Sequence, residues 1–202
     1  MQRTDLSDMQ CPIARSLERV GEWWSILIMR DAFYGITRFD AFQKSLSIAP
    51  NILARRLNTL VEAGLLERQR YSERPPRDEY LLTARGRDFR PVVQALLAWG
   101  NRQFAPEGAS VVYANTETGE IADPVMIDRI SGRPMSDPVF RPQAGPAANE
   151  WITRRMAAIN VAASSVEASP VEASSVQASS TGEPAITPQP AKASRKAKSS
   201  AA

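Results

Sequence analysis

Residues 45–80 read SLSIAPNILARRLNTLVEAGLLERQRYSERPPRDEY, and this stretch decides the fold. Apolar side chains recur at helical spacing from about residue 49 to residue 63, and Gly64 ends that helix. Two alternating runs come next, at residues 66–71 and 79–83, and each is typical of a short strand. The pattern therefore predicts a helix followed by a two-stranded hairpin.

The predicted helix has one apolar face and one polar face. At about 100° per residue its leucines fall together on the side expected to face the core. The opposite side offers guanidinium, carboxamide and apolar groups, which are the groups that read base edges in the major groove of DNA. An isolated surface helix carries such a face for solubility alone, so this interpretation depends on the neighbouring elements. The candidate groove-contacting residues are Pro50, Asn51, Ile52, Arg55, Arg56 and Thr59.

The predicted loop at residues 72–78 is short and basic. Pro75 and Pro76 cannot donate hydrogen bonds to a strand ladder, so both are expected in the turn. Arg74 and Arg77 flank this pair. As contacts to phosphates or to the minor groove, the two arginines would position a duplex rather than specify its sequence. The alternative is an ordinary solvated loop.

Three helices are predicted upstream of this stretch. The first begins at Pro12, because proline is tolerated at the first helical position, and it ends at Gly21. The second spans residues 22–33. The third spans residues 38–45, with Thr37 as its N-cap. Two further candidates for contacts to the DNA backbone lie around this third helix, namely Arg38 and Lys44.

Downstream of the hairpin, Thr83 is expected to cap one long helix that continues to about residue 103. An apolar stripe runs along this helix and is too wide for the small domain in front of it to cover. Surplus apolar surface of this kind indicates a partner subunit. The stripe is the predicted dimerisation surface and consists of Phe89, Val92, Val93, Leu96, Leu97 and Trp99.

The character of the sequence changes in its last half. Short alternating runs separated by Thr118-Gly119 and Ser131-Gly132 predict one or two β-hairpins. Residues 161–180 then repeat VAASS, VEASP, VEASS and VQASS, and a Pro-rich, Lys-containing end follows. Small, polar, Pro-punctuated sequence buries too little apolar surface to offset the entropy of ordering, so roughly the last 40 to 45 residues are predicted to be disordered. The basic end either forms part of a tether or adds non-specific affinity for DNA, through Lys192, Arg195, Lys196 and Lys198.

Composition excludes several classes of site. The chain has 25 Lys and Arg against 22 Asp and Glu, so its net charge of +3 identifies no partner. It has no histidine and one cysteine, which argues against histidine-based catalysis, a Cys/His zinc site and an internal disulfide. We expect no metal and no cofactor. No apolar run approaches the ~20 residues that span a bilayer, so the predicted location is the cytoplasm, with the nucleoid reached through DNA binding.

Five short motifs carry a resemblance to a known family. They are Cys-Pro at 11–12, Gly-x-x-Trp at 21–24, Arg-Phe-x-x-Phe at 38–42, Pro-Pro-Arg at 75–77 and Leu-Thr-x-x-Gly at 82–86. Over about residues 9–104 the chain resembles the HxlR-type family of bacterial winged helix-turn-helix transcription regulators, which are related to the MarR type. The resemblance implies a homodimer, held by its terminal helices, that binds a pseudo-palindromic operator near a promoter. It also implies that helix 49–63 is the recognition helix and that Arg74–Arg77 is the wing tip.

The chain departs from the family pattern at two places. Many relatives have Ser or Thr where Ala49 stands, so Ser47 is the alternative cap of the recognition helix. Residues 109–142 resemble an extension that in some relatives contains cysteine pairs like those of a zinc ribbon. This chain has none there, and we expect the module to be metal-free.

Cys11 occupies a position that some family members use as a thiol sensor of oxidants or electrophiles. A helix N-terminus stabilises negative charge, which suits such a role. The alternative is a small, buried residue of the core. The chemical nature of any small-molecule or electrophile inducer stays open.

The predicted fold class is mainly α (α+β). It comprises a winged helix-turn-helix domain with a C-terminal dimerisation helix, a small β-hairpin extension and a disordered tail. The predicted division is 9–104 for DNA binding and dimerisation, 105–145 for the extension and 146–202 for the tail. The predicted function is regulation of transcription by a homodimer bound to double-stranded DNA. The alternative is a winged-helix protein-interaction module, and no enzymatic activity is expected.

Overall fold

The structure is a computed structural model that describes residue 6 and residues 9–167, with side-chain surroundings described as far as residue 161. By internal packing the chain divides into Met1–Ala162 and Ala163–Ala202, and the first unit contains everything discussed below except the end of the last helix. Across the described residues the elements are α1 Pro12–Val20, α2 Trp23–Phe33, α3 Phe39–Leu46, α4 Pro50–Glu62, β1 Leu66–Glu73, β2 Pro76–Leu82, α5 Ala84–Asp88, α6 Arg90–Phe104 and α7 Glu150–Glu167.

One hydrophobic core lies between α2, α3, α4 and the base of the hairpin. The predicted apolar face of α4 is confirmed, since Leu53, Leu57 and Leu60 are fully buried. Burial of whole aliphatic and aromatic side chains is the main stabilising term in a domain of this size. The other side chains with under 2% exposure are Phe42, Ile28, Met29, Leu66, Asp31 and Ser25.

A tight turn joins α3 to α4, as a helix-turn-helix requires. Ser47 adopts a left-handed conformation with φ 50°, and Ala49 is the N-cap of α4 without a side-chain hydrogen bond. The alternative cap at Ser47 is therefore wrong. Pro50 takes over the role of a start signal, because its fixed φ suits the first helical position and its missing N–H leaves one fewer donor to satisfy.

The hairpin strands are longer than predicted. β1 extends to Glu73 and β2 begins at Pro76, so only Arg74 and Pro75 connect them. Pro76 is tolerated because it is the first residue of its strand. A bulge between Arg70 and Ser72 also shifts the register near the tip. We call residues 66–82 the wing.

The segment before α3 pairs with the wing. The backbone N–H of Tyr80 donates to the carbonyl of Thr37 at 2.8 Å, and Arg38 forms an isolated antiparallel bridge with Glu79. The prediction that Thr37 caps α3 is wrong, since Arg38 is the N-cap and makes no side-chain cap bond. Thr37 instead pairs with β2 through its carbonyl, and the backbone of Arg38 beside it is extended.

The predicted long helix after the wing is two helices. Thr83 caps the first, α5, by accepting a hydrogen bond from Gly86 N at 3.0 Å. The chain then breaks at Phe89, and Pro91 lies in the first turn of α6. A continuous helix would bring the Pro91 ring against the carbonyl of Arg87, which explains the break.

Residues 113–135 contain two turns of the same construction, thirteen positions apart. Asn115 N donates to Glu120 O in the first turn, and Asp128 N donates to Arg133 O in the second, both at 2.8 Å. Single bridges close them, Ala114 to Ile121 and Ile127 to Pro134. The predicted turns at Thr118-Gly119 and Ser131-Gly132 are present. The flanking residues form isolated bridges rather than the strands of regular hairpins, and we call residues 105–142 the extension.

The extension contacts α6. Asn101 Nδ2 donates to the carbonyl of Val111 at 2.9 Å, and Arg102 lies 3.6 Å from the carboxylate of Asp123. A cavity of about 230 Å³ remains between α6 and the extension, lined on the helix side by Leu97.

Part of the predicted disordered tail, residues 146–202, is helical. α7 begins after Asn149, whose side-chain oxygen accepts a hydrogen bond from Ile152 N at 2.9 Å, as an N-cap does. A Glu150–Arg154 ion pair at i, i+4 supports the first turn. The repeat beyond residue 167 and the basic end lie outside the described residues. In the part of the chain that the structure describes, no helix has the length and hydropathy needed to cross a membrane.

Candidate nucleic-acid interface

The outward face of α4 carries polar side chains opposite its buried leucines. Asn51, Arg55 and Asn58 are exposed, and Thr59 is half-buried. The Thr59 hydroxyl donates to the carbonyl of Arg55 at 3.0 Å, within the helix. The first half of this face thus presents a carboxamide and a guanidinium to solvent, the groups that form bidentate pairs with adenine and guanine.

Arg56 differs from the other candidates on α4. It is 8% exposed, and its guanidinium lies 2.9 Å from the carboxylate of Glu22 at the N-terminus of α2. Its Nε atom is buried without a hydrogen-bond partner among the described residues. The side chain therefore ties α4 to α2, and we leave Arg56 out of the set proposed to contact DNA.

The other two candidates at the start of α4 have different surroundings. Pro50 is exposed at the first helical position. Ile52 is half-buried and packs against the core, so only part of its side chain is accessible. Asn51 Oδ1 accepts a hydrogen bond from the N–H of Ile52 at 2.9 Å.

The tip of the wing is basic and exposed. Arg74 stands in the connection and Arg77 is the second residue of β2, and both are exposed. Two more exposed arginines, Arg68 and Arg70, lie on β1 beside Asp78. Sequence reasoning missed these two, although their alternation in Glu-Arg-Gln-Arg predicts that they share one face of the hairpin.

Arg38 and Lys44 lie near opposite ends of α3, and both are exposed. The Arg38 guanidinium is stacked 4.7 Å from the ring centroid of Tyr71, a cation–π distance. Arg38 is therefore held next to the wing, whereas Lys44 lies in the last turn of α3.

The predicted dimerisation stripe divides into three groups. Val93 is buried, Phe89 packs against the core, and Leu97 faces the extension. The remaining three, Val92, Leu96 and Trp99, are exposed by 39–51% and form an apolar strip on α6. Phe104 adjoins this strip, since its ring centroid lies 4.9 Å from that of Trp99.

Cys11 stands at the N-cap position of α1 and is half-buried. It is the only cysteine of the sequence. Its use as a thiol sensor stays a prediction. Among the described residues, no group of three or more Cys, Asp or Glu side chains is placed to hold a metal ion.

Comparison with known proteins matches residues 19–108 to the family model described as HxlR-like helix-turn-helix. An uncharacterized HTH-type transcriptional regulator of Mycobacterium tuberculosis (strain ATCC 25618 / H37Rv) is 39% identical over 135 residues, which cover 66% of this chain and 85% of that relative. An alignment of this length extends past Phe104 wherever it begins, so the similarity includes part of the extension. A regulator of the same description from Synechocystis sp. is 38% identical over 92 residues, 45% of this chain and 68% of the relative.

Two solved structures are similar over a larger share of the chain. A candidate transcription factor of Pseudomonas aeruginosa, PA1374, is 57% identical with a TM-score of 0.54, over 72% of this chain and 99% of its own. The crystal structure of PA1607, also described as a candidate transcription factor, is 38% identical with a TM-score of 0.63, over 70% of this chain and 100% of its own. The helix-turn-helix with its wing and the sequence similarity agree, and the chain belongs to the HxlR-like helix-turn-helix family of transcriptional regulators.

Proposed function

We propose that this chain regulates transcription by binding a pseudo-palindromic DNA site as a homodimer, through α4 and the wing. The observation that supports this most is the placement of an exposed polar face on α4 beside a basic wing tip. The face carries Asn51, Arg55 and Asn58, and the tip carries Arg74 and Arg77.

In this proposal α4 reads base edges in the major groove. Arg55 is exposed in the second turn, and its guanidinium matches the O6 and N7 acceptors of guanine. Asn51 supplies a carboxamide of the kind that pairs with adenine. The partly accessible side chain of Ile52 suits a thymine methyl group. Specificity then depends on side chains in the N-terminal half of the helix.

The wing and α3 supply contacts to the DNA backbone. Arg74 and Arg77 place positive charge at the end of the hairpin, where it meets phosphates or the minor groove beside the site read by α4. Arg38 and Lys44 extend the positive charge along α3. Such contacts position the protein and make its affinity depend on salt, because neutralised phosphates release counterions.

The uncovered apolar surface supports a homodimer. In addition to the strip on α6, α1 exposes 71% of Ile13 and 47% of Leu17, and Trp23 at the start of α2 is 72% exposed. Monomeric proteins rarely leave contiguous apolar patches of this kind in water. Pairing two copies through α6 and α1 covers these side chains and gives the two-fold symmetry that a pseudo-palindromic site matches.

The central experiment is selection of bound sequences from a random duplex pool by the full-length protein. An enriched inverted repeat supports the proposal and supplies the operator for later measurements. Salt-sensitive binding without enrichment contradicts sequence recognition by α4. No binding even to bulk DNA at low salt favours the alternative, a winged-helix module that binds another protein.

Substitutions separate base reading from positioning. Arg55→Ala is expected to cost about 1–3 kcal/mol on the selected site and to relax preference at one base pair. Arg74→Ala is expected to weaken binding about equally on all sequences. It is also expected to make the dependence of log affinity on log salt concentration less steep, by about one for each arginine that the dimer loses. Arg129→Ala, which removes an equal charge from an exposed position in the extension, is the matched control. Equal losses on all sequences for Arg55→Ala contradict its assignment to base reading.

A matched pair of substitutions tests the homodimer. Leu96→Asp places a charge in the apolar strip of α6 and is expected to produce monomers that bind the inverted repeat weakly. Ile130→Asp places the same charge at a side chain that is 95% exposed in the extension, and it is expected to leave the dimer intact. Sedimentation velocity measures the oligomeric state. A Leu96→Asp protein that remains dimeric contradicts dimerisation through this strip.

A further inference from the structure

The carboxylate of Asp78 lies beside two arginines of the wing. Arg70 on β1 lies directly opposite Asp78 on β2, and Arg68 lies opposite Tyr80. Alternate residues of a strand share a face, so Arg68, Arg70 and Asp78 lie on the same side of the hairpin.

The distances show that Asp78 contacts both arginines. Its Oδ1 atom accepts a hydrogen bond from Arg70 Nε at 2.6 Å, and its Oδ2 atom lies 3.9 Å from Arg68 Nε. Glu73 adds a weaker contact, 3.7 Å from Arg70 Nη1. Asp78 is the most enclosed member of the group, since its side chain is 25% exposed against 45% for Arg70 and 54% for Arg68.

The electrostatic consequence falls mainly on Arg70. Hydrogen bonding to Asp78, followed by the attraction of the Asp78 charge, raises the pKa of the Arg70 guanidinium above its already high ordinary value. A guanidinium is charged at every accessible pH, and the charge of Arg70 is balanced at short range by the carboxylate of Asp78 on the neighbouring strand. Within residues 9–167, the structure shows no ion pair for Arg74 or Arg77 at the tip.

We propose that Asp78 balances the charges of Arg68 and Arg70, and that it thereby limits the sequence-independent affinity of the wing for DNA and confines its phosphate contacts to the tip. The proposal rests on the proposed function of the wing in binding DNA. Phosphate contacts are equal for every sequence, so each additional arginine strengthens binding to random DNA as much as to an operator. Pairing of Arg68 and Arg70 with Asp78 therefore keeps the affinity for random DNA low, while α4 continues to read bases.

The test compares Asp78→Asn with the full-length wild type on the selected operator and on random duplex. We expect random-DNA affinity to rise about three- to ten-fold at low salt, with a salt slope steeper by about one to two per dimer. Operator affinity is expected to rise by a similar factor, because the added phosphate contacts are the same on both duplexes, so the ratio of specific to non-specific binding stays near that of the wild type. Glu117→Gln makes the same charge change at an exposed position in the extension and is the control.

Arg70→Gln identifies the arginine through which Asp78 acts. In the Arg70→Gln background, Asp78→Asn is expected to raise random-DNA affinity by less than half as much as in the wild type. Two results overturn the proposal. One is a gain in random-DNA affinity for Asp78→Asn that is no larger than the gain for Glu117→Gln. The other is weaker binding of Asp78→Asn to all DNA, which indicates that Asp78 only holds the hairpin together.

Failure of the proposed function itself gives a different result. In that case the wild-type protein binds neither duplex, which is measured without any variant.

Discussion

Between Ala14 and Ala98 the chain buries fifteen apolar side chains, whereas none of residues 105–142 is buried. The extension instead exposes large apolar groups, among them Ile121 at 70% and Ile130 at 95%. The two parts are adjacent in sequence and touch at α6, yet they are held by different forces.

Side chain to backbone hydrogen bonds take the place of a core in the extension. Asn115 Oδ1 accepts from Glu117 N at 2.9 Å, and Asp128 accepts from Ile130 N and Ser131 N at 3.3 and 2.9 Å. Asn and Asp favour turns because their side chains satisfy backbone donors locally. The winged helix therefore depends on cooperative burial, whereas each turn of the extension is fixed by hydrogen bonds within a few residues.

The largest effect is expected from the core of the winged helix. Leu57→Ala removes a fully buried side chain of α4 and is expected to lower the free energy of unfolding by about 2–5 kcal/mol. Denaturant unfolding followed by circular dichroism measures the change. Ile130→Ala is the control in the extension, and an equal loss for both substitutions contradicts the contrast between the two parts.

An intermediate loss of stability is expected when the buried Arg56 side chain loses its ion pair. Arg56→Gln breaks the ion pair with Glu22 and is expected to lower the free energy of unfolding by about 1–3 kcal/mol, since Glu22 is partly solvated. Base preference of the remaining folded protein is expected to stay that of the wild type, in contrast to Arg55→Ala. A changed base preference without loss of stability would return Arg56 to the DNA-contacting set.

The smallest effect is local and depends on pH. Hydrogen bonds from the Ser131 hydroxyl, the Ser131 N–H and the Ile130 N–H lower the pKa of Asp128 below its ordinary value of 3.8. The stability that these bonds give to the second turn is therefore present above pH 3.8 and is lost as the pH falls through the lowered pKa. The protection of the Ser131 amide against hydrogen exchange, relative to its intrinsic rate, is expected to fall in this range. The side-chain amide of Asn115 does not titrate, so the Thr118 amide in the first turn serves as the internal control, and an equal loss of protection in both turns contradicts the assignment.

Most of the winged helix follows from local patterns. Leucine spacing predicts which face of α4 is buried, and Pro12, Gly21 and Gly64 predict where helices begin and end. The third helix, predicted at residues 38–45, is found at Phe39–Leu46. These features depend on side-chain periodicity and on the backbone preferences of proline and glycine, which act within one element.

The errors arise where distant segments meet. Thr37 is a good N-cap by residue type, but pairing with β2 determines its backbone. Arg56 lies at the margin of the polar face by angle alone, and its burial depends on Glu22 in another helix. Asp31 is 1% exposed although nothing in the periodicity of α2 indicates it. α7 was missed because composition outweighed the local start signal at Asn149.

The pairing of residues 37–38 with β2 fixes more than the start of α3. Residues 37–38 hold β2 at its side, in addition to the attachment of the wing at its base. We therefore expect the distance from α4 to the wing tip to vary little. If the proposed function holds, a duplex whose minor groove is wider or narrower than this distance allows would have to deform to bring phosphates to Arg74 and Arg77. The stiffness of base steps that the protein never touches would then contribute to its choice of site.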